Sequence, residues 1–233
     1  MKVLIIIPAY NEEGNLECVV SGLRQACPQF DYVVINDGST DHTEQLCRRN
    51  HYPCISLPTN LGIAGAVRTG MKYAYRKGYD MVLQFDADGQ HLPQYIERMV
   101  TCMERERCDV VIGSRYLGSE AMPKNARTLG SRMILAAIWL TTGNRLSDPT
   151  SGMRLYSRRI VRQFIRDDNS APEPDTLSYL FRLGADIREV PVNMAERLAG
   201  QSYLTPGNAA KYMIHMLMAI SVFQWFRNSK EAL

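Results

Sequence analysis

The sequence is short of several features that commonly announce a function. It has no apolar stretch of the ~20 residues needed to cross a bilayer. The nearest are 133–140 and 213–226, and His215 and Gln224 interrupt the second. The apolar run at 3–7 is too short for a signal-peptide core and is followed by Pro8 rather than a small-residue cleavage site, so it reads as a buried strand. Six cysteines occur among the 233 residues (Cys18, Cys27, Cys47, Cys54, Cys102 and Cys108) without a C-x-x-C pair. That spacing argues against a zinc site or a disulfide framework and suits reduced thiols in a cytoplasmic protein. No block of five like charges is present, and the net charge of +3 is too mild to point to nucleic acid, although it suits an anionic ligand. A G-x-G-x-x-G after the first strand and a P-loop lysine motif are both missing, which removes the usual dinucleotide and nucleoside-triphosphatase readings. The four histidines are scattered; His91, beside an acidic cluster, reads as structural or surface.

What is present is the patterning of one globular domain, with 45% hydrophobic and 22% charged residues. Short apolar runs predict strands at 3–7, 32–35, 54–57, 81–85 and 110–112. Between them lie helical patterns at 12–25, 40–50 and 62–77, the last closed by Gly78, and a helix opened by Pro93. This alternation predicts an α/β fold with a central, mostly parallel sheet flanked by helices. The second half is less regular. Helices are expected at 126–142, 157–166, 176–182 and 208–227, with a turn-rich loop at 148–154, a strand at 187–194 broken by Pro191, and a loop at 200–207.

Polar clusters follow three of the predicted strands, where α/β sheets bind ligands. These are Pro8-Ala9-Tyr10-Asn11-Glu12-Glu13, Asn36-Asp37-Gly38-Ser39-Thr40-Asp41 and Asp86-Ala87-Asp88-Gly89-Gln90-His91. Asp86 and Asp88, at i and i+2, leave the same face of an extended segment. Just past a buried strand they suit a hard divalent cation, Mg²⁺ or Mn²⁺, shared with substrate phosphates, with Gln90 able to add a neutral oxygen. Asp37 could accept hydrogen bonds from a base or a ribose, or could equally cap the helix that follows. Asp41 suits that helix's N-terminus electrostatically.

With Asn60-Leu61-Gly62, Gly70 and Gly113-Ser114-Arg115, these motifs occur in an order that resembles the inverting family-2 glycosyltransferases of the GT-A fold, over roughly residues 1–205. Within that family the chain is most similar to the branch of dolichol-phosphate mannose synthases and polyprenyl-phosphate sugar synthases. The resemblance implies a nucleotide-sugar-binding half at 1–115 and an acceptor half at 116–205; the remainder, 206–233, is expected as a C-terminal helix without the transmembrane segments that members of this branch often carry. It implies that Pro8, Tyr10, Glu12 and Asp37 hold the nucleotide of a UDP- or GDP-sugar, and that Asp86, Asp88 and Gln90 hold the metal and diphosphate. Many members carry two aspartates before Gly-Ser, whereas the first is Asn36 here.

For the acceptor, Asp148-Pro149-Thr150-Ser151-Gly152-Met153-Arg154 resembles a loop of the polyprenyl-phosphate branch, and Arg197 with Gly200 and Ser202 resembles its mobile basic loop, expected at 195–205. Arg115 and Arg132 would complete a cationic set. Guanidinium forks suit phosphate oxygens, and an ionised phosphate acceptor needs no strong base. A saccharide hydroxyl would need one, for which Glu173 and Asp175 are the candidates. A nucleotide-sugar-binding protein without turnover is the reading from another class. A sugar-nucleotide pyrophosphorylase is the weaker enzymatic rival, because its glycine-rich basic signature is absent. The apolar and aromatic residues of the last helix, beside Arg227, read as core packing or as a contact with a bilayer surface or a membrane-protein partner, at the inner face of the cell membrane.

Overall fold

The structure is a computed structural model that describes residues 1–117, 126–167, 170–195 and 206–226. Its centre is a seven-stranded sheet in the order β3-β2-β1-β4-β6-β5-β7. The strands are β1 (Val3–Ala9), β2 (Asp31–Asn36), β3 (Cys54–Ser56), β4 (Met81–Gln84), β5 (Val110–Ser114), β6 (Arg154–Ser157) and β7 (Ile187–Pro191). Every pairing is parallel except those of β6, which runs antiparallel to both β4 and β5. The expected mostly parallel sheet is therefore present, with one reversed strand in its middle.

β6 was not anticipated. Its four residues begin with an arginine, and the segment falls between the predicted loop at 148–154 and the predicted helix at 157–166. Its reversal has a consequence for the site. Arg154 pairs with Gln84 at the C-terminal end of β4 and with Ile112 near that of β5. The loop entering β6 therefore lies along the same sheet edge as the ends of β1, β2 and β4. Pro191 ends β7 rather than breaking it.

Helices cover both faces. The alternate residues Val3, Ile5 and Ile7 of β1 pack towards α1 (Leu16–Ala26) and α4 (Ile96–Glu106). Leu4 and Ile6 face α3 (Gly62–Lys77), on the side that also holds α6 (Arg158–Arg166) and α7 (Pro174–Arg182). α2 (Thr43–Arg49) joins β2 to β3. The expected stop at Gly78 is a left-handed cap with φ of 78°. α1 starts later than the 12–25 pattern suggests, because residues 12–15 form a turn closed by Asn15 N–H to Glu12 O at 3.1 Å. A third apolar cluster joins α5 (Ala126–Thr142) to α8 (Pro206–Met218), which continues through a π-helical turn (Ala219–Phe223) into α9 (Gln224–Phe226).

Gly70 shows how tightly α3 lies on the sheet. A β-carbon at this position would sit 2.0 Å from Ile6 Cγ2. Alanine gains about 1 kcal/mol of helix propensity over glycine, whereas overpacking a core costs about 1–3 kcal/mol. Gly70→Ala is therefore expected to destabilise the fold by up to about 2 kcal/mol in urea denaturation. A more stable variant would contradict this packing.

Candidate active site

The first two polar clusters form one cross-linked floor beside the ends of β1 and β2. Asn11, at a left-handed φ of 57°, accepts at Oδ1 from the Thr40 N–H at 2.8 Å and donates its own N–H to Ser39 Oγ at 3.0 Å. Glu12 N–H donates to Thr43 Oγ1 at 2.9 Å, and Asn15 Nδ2 donates to Glu12 Oε2 at 2.6 Å. Pro8 is buried opposite Ile35, and Tyr10 is half-buried at the strand exit.

Asp37 is buried. Of the two roles open to it in sequence, capping the helix after Thr40 is taken by Asp41, whose Oδ1 accepts from Thr43 N–H at 2.9 Å. Asp37 instead accepts at Oδ1 from Leu61 N–H at 2.8 Å, which ties the Asn60-Leu61-Gly62 turn to this floor. Gly38 is required between them, since a β-carbon there would lie 2.6 Å from the Thr59 carbonyl carbon. The departure at Asn36 also has a physical account: its Nδ2 donates to Ser56 Oγ at 3.2 Å, which a carboxylate could not do.

The third cluster leaves β4 next to this floor, across the β1–β4 boundary. The chain passes from β1 to β2 on one side of that boundary and reaches β4 on the other, which makes it a topological switch point of the kind that opens a ligand crevice. Asp88 is buried and accepts at Oδ1 from Gln90 N–H at 3.0 Å. Asp86 is partly open and is held from several directions. Gln84 Nε2 donates to its Oδ1 at 3.2 Å. Its backbone N–H donates to His91 Nδ1 at 2.9 Å, and His91 Nε2 lies 3.7 Å from Oδ2. Gly152 approaches so closely that a β-carbon there would fall 2.4 Å from Asp86 Oδ2. The described residues contain no group of three or more His, Cys, Asp or Glu able to hold a metal alone. Two carboxylates with an open side suit a hard cation that completes its coordination with substrate phosphates.

The Gly152 loop is fixed by an ion pair that sequence reading missed. Arg115 donates from Nε and Nη2 to the two carboxylate oxygens of the fully buried Asp148, at 2.6 and 2.7 Å, and from its backbone N–H at 3.1 Å. It also reaches Thr150 Oγ1 at 2.8 Å. Glu189 accepts the backbone N–H groups of Ser147 and Asp148. Arg154, buried without an ion-pair partner among the described residues, donates to the carbonyls of Ser151, Pro149 and Glu173. Arg115 thus works as a clamp on the loop, while Arg132 is exposed on α5. Arg197, with the rest of 196–205, lies outside the described residues. The chain just before it is pinned to the acidic loop, through Ala195 N–H to Gln90 O at 3.0 Å and a bridge between Met194 and His91.

The candidate bases sit at the start of α7. Burial pushes the Glu173 carboxyl above its usual range, and the Tyr212 hydroxyl donates to its Oε2. Asp175 is half-buried in the first turn of the helix.

His91 and Arg115 each carry a prediction. In its neutral form His91 must keep Nδ1 bare to accept from Asp86, so ¹⁵N NMR is expected to show the Nε2–H tautomer. An Nδ1–H tautomer would contradict the contact. His91→Ala strands a buried N–H and should cost about 1–3 kcal/mol of stability. Arg115→Met leaves the Asp148 charge buried and uncompensated, for an expected loss of about 3–5 kcal/mol in chemical denaturation. A loss below about 1 kcal/mol, as for a surface pair, would contradict the clamp.

Comparison with known proteins agrees with this geometry. Residues 4–165 match glycosyl transferase family 2. The undecaprenyl-phosphate mannosyltransferase of Micrococcus luteus is 30% identical, over 93% of both chains. The polyprenol monophosphomannose synthase of Mycolicibacterium smegmatis is 29% identical, over 91% of this chain and 84% of its own. Among solved structures, glucosyl-3-phosphoglycerate synthase from Mycobacterium tuberculosis, in complex with Mn²⁺, UDP-glucose and phosphoglyceric acid, superposes with a TM-score of 0.69 at 20% identity, covering 94% of this chain and 79% of that one. That likeness shows the GT-A fold. With its strand-end acidic loop, its sheet and these relatives, the chain belongs to glycosyl transferase family 2 and is a glycosyltransferase of the polyprenyl-phosphate sugar synthase branch.

Proposed function

We propose that the enzyme moves a hexose or related sugar from a UDP- or GDP-sugar to the phosphate of a polyprenyl phosphate, with inversion at the anomeric carbon. The observation that carries this reading is the seating of Gly152 against Asp86. The contact supports a reading in which the loop at 148–154 serves the acceptor and Asp86 the donor.

On this reading the nucleoside lies on the floor made by Pro8, Tyr10, Glu12 and Asp37. The diphosphate extends towards Asp86, Asp88 and Gln90. A Mg²⁺ or Mn²⁺ ion held there would neutralise charge on the departing diphosphate. His91, Gln84 and Gly152 fix Asp86 in advance, so its negative charge is already oriented when the donor arrives. One oxygen of the acceptor phosphate attacks the anomeric carbon as the bond to the nucleoside diphosphate breaks. A phosphomonoester with its second pKa near about 6 is largely ionised at neutral pH, so no base has to remove a proton. Arg132 and Arg197 remain our candidates for the acceptor phosphate, with Arg115 adding its charge from the Asp148 clamp.

The relatives' names support a lipid-phosphate acceptor. They include a UDP-N-acetylglucosamine–dolichyl-phosphate N-acetylglucosaminyltransferase of Methanococcus voltae, 28% identical over 82% of this chain and 84% of its own. They differ in the sugar. A saccharide acceptor would call on Glu173 or Asp175 as base, and Glu173 would first have to give up the Tyr212 hydroxyl.

The test is release of nucleoside diphosphate from a panel of UDP- and GDP-sugars with Mg²⁺ or Mn²⁺ and either polyprenyl phosphate or free saccharides. Release is expected with polyprenyl phosphate, and Asp88→Asn should lower it by about 100-fold or more, the scale of losing an electrostatic partner of the leaving group. Glu173→Gln should retain it. Release only with saccharides, or full activity of Asp88→Asn, would overturn the proposal.

A further inference from the structure

α3 and α6 lie side by side on one face of the sheet, where Ala66, Val67 and Met71 share a core cluster with Ile160, Val161 and Phe164. Neither helix contains an aspartate or glutamate. Of the chain's 27 arginines and lysines, eight lie on these two helices, which leaves 19 against 24 acids in the rest. Two of the eight are turned to internal use. Arg68 donates from Nη2 to the Ser170 carbonyl at 3.1 Å, and Arg158 from Nη1 to the Tyr79 carbonyl at 2.7 Å. The other six are exposed: Lys72, Arg76 and Lys77 on α3, and Arg159, Arg162 and Arg166 on α6.

This arrangement works against the free chain. Lys72 and Arg76 stand four residues apart, as do Arg162 and Arg166, and like charges at that spacing repel along a helix. α6 also opens with Arg158 and Arg159 and no acid, against the positive end of its dipole. On α2 the same spacing is used the other way, with Arg48 paired to Glu44 at 2.7 Å. Arg159 reaches Asp109 at 3.4 Å, whereas no carboxylate among the described residues pairs with Lys72, Arg76 or Arg162. A cationic face held against its own repulsion suits an anionic partner, and its surroundings select which. Among the described residues, no large apolar side chain of α6 is exposed, and on α3 only Ile63 is, in the first turn. The face therefore lacks the apolar anchors that a bilayer surface requires. The acidic balance of the remaining chain repels a long polyanion such as nucleic acid, which would overrun the patch. A short acidic surface fits. The cations span about 8 Å along α3 and about 10 Å along α6, roughly two turns of a helix. Half-buried Tyr73 and Tyr75 lie under Lys77 at 5.9 Å and Arg158 at 4.7 Å, the tyrosine and arginine composition of protein interfaces.

We propose that the outer face of α3 and α6 is a docking surface for an acidic helical segment of a partner protein. The surface stands apart from the transfer reaction, and its test uses neither donor nor acceptor. The probe is a fluorescein-labelled, alanine-rich helical peptide with glutamate at every fourth position, titrated with the full-length chain and followed by fluorescence anisotropy. Saturable binding is expected, weakening at least about tenfold in high salt. The double variant Arg76→Glu with Arg162→Glu should weaken it by about tenfold or more. Arg49→Glu with Arg98→Glu makes the same change in charge at exposed positions of α2 and α4 and should leave it within about twofold.

The double variant also separates docking from folding. Glu at 76 gains Lys72 as a partner four residues away, and Glu at 162 gains Arg158 and Arg166, so its thermal midpoint should rise while peptide binding falls. Loss of binding with a lowered midpoint would overturn the proposal, because the cations would then serve the fold. So would the absence of saturable peptide binding, or an equal loss in the Arg49 and Arg98 variant. Tighter binding of phosphatidylglycerol vesicles or of oligothymidylate, abolished by the same two substitutions, would assign the face to a membrane or to nucleic acid instead. A dimer in analytical ultracentrifugation that those substitutions dissolve would make the occupant a second copy of this chain and equally overturn the proposal.

Discussion

The buried carboxylate of Asp148 is the constraint on which the rest of the site depends. A charge with no solvent contact is tolerated only when it is fully paired, and Asp148 is paired by both arms and the backbone of Arg115. That pairing fixes where the loop entering β6 can go. Glu189 fixes the same loop from β7 through two backbone N–H groups, and Arg154 fixes its far end through the carbonyls of Pro149 and Ser151. With the loop immobilised from three elements, Gly152 is carried onto Asp86, and a side chain at 152 would have no room.

The antiparallel course of β6 makes this arrangement possible. A parallel strand between β4 and β5 would start at the opposite edge of the sheet. Its entering loop would then be far from Asp86. Reversal brings the start of β6 beside the ends of β4 and β5, so the loop entering β6 and the acidic loop after β4 share a single edge. The sheet therefore supplies the proximity, and the ion pair supplies the precision. Orientation of this kind is where much of the barrier in a group transfer can be overcome.

The first half of the fold was readable because its signals are local. The apolar runs of β1 and β4, the stop at Gly78 and the acidic pair after β4 each announce themselves within a few residues. Asp86 and Asp88 do stand at the strand end where the sequence places them. What escaped reading depends on partners distant in the chain. Arg115 looked like a phosphate ligand because nothing near it shows that Asp148, 33 residues on, accepts its guanidinium. Asp37 was open to a base or ribose or to the cap of the next helix, and its tie to the Leu61 N–H was not legible from its neighbours. β6 was hidden by its opening arginine, a residue that sequence reading assigns to solvent and that the fold buries against carbonyls. His91 was read as structural or surface, and the fold resolves this: it is buried, and its ring holds the Asp86 backbone.

Two carboxylates make a weak cation site in isolation and a good one once a diphosphate completes it. This is the central claim about Asp86-Ala87-Asp88, and electron paramagnetic resonance of Mn²⁺ measures it directly. Titrating the full chain with Mn²⁺ alone should leave most of the free-ion signal. Adding the nucleoside diphosphate should remove that signal stoichiometrically, with Asp88→Asn preventing the loss. Tight Mn²⁺ binding without nucleotide, or nucleotide binding indifferent to both Mn²⁺ and Asp88, would contradict the account.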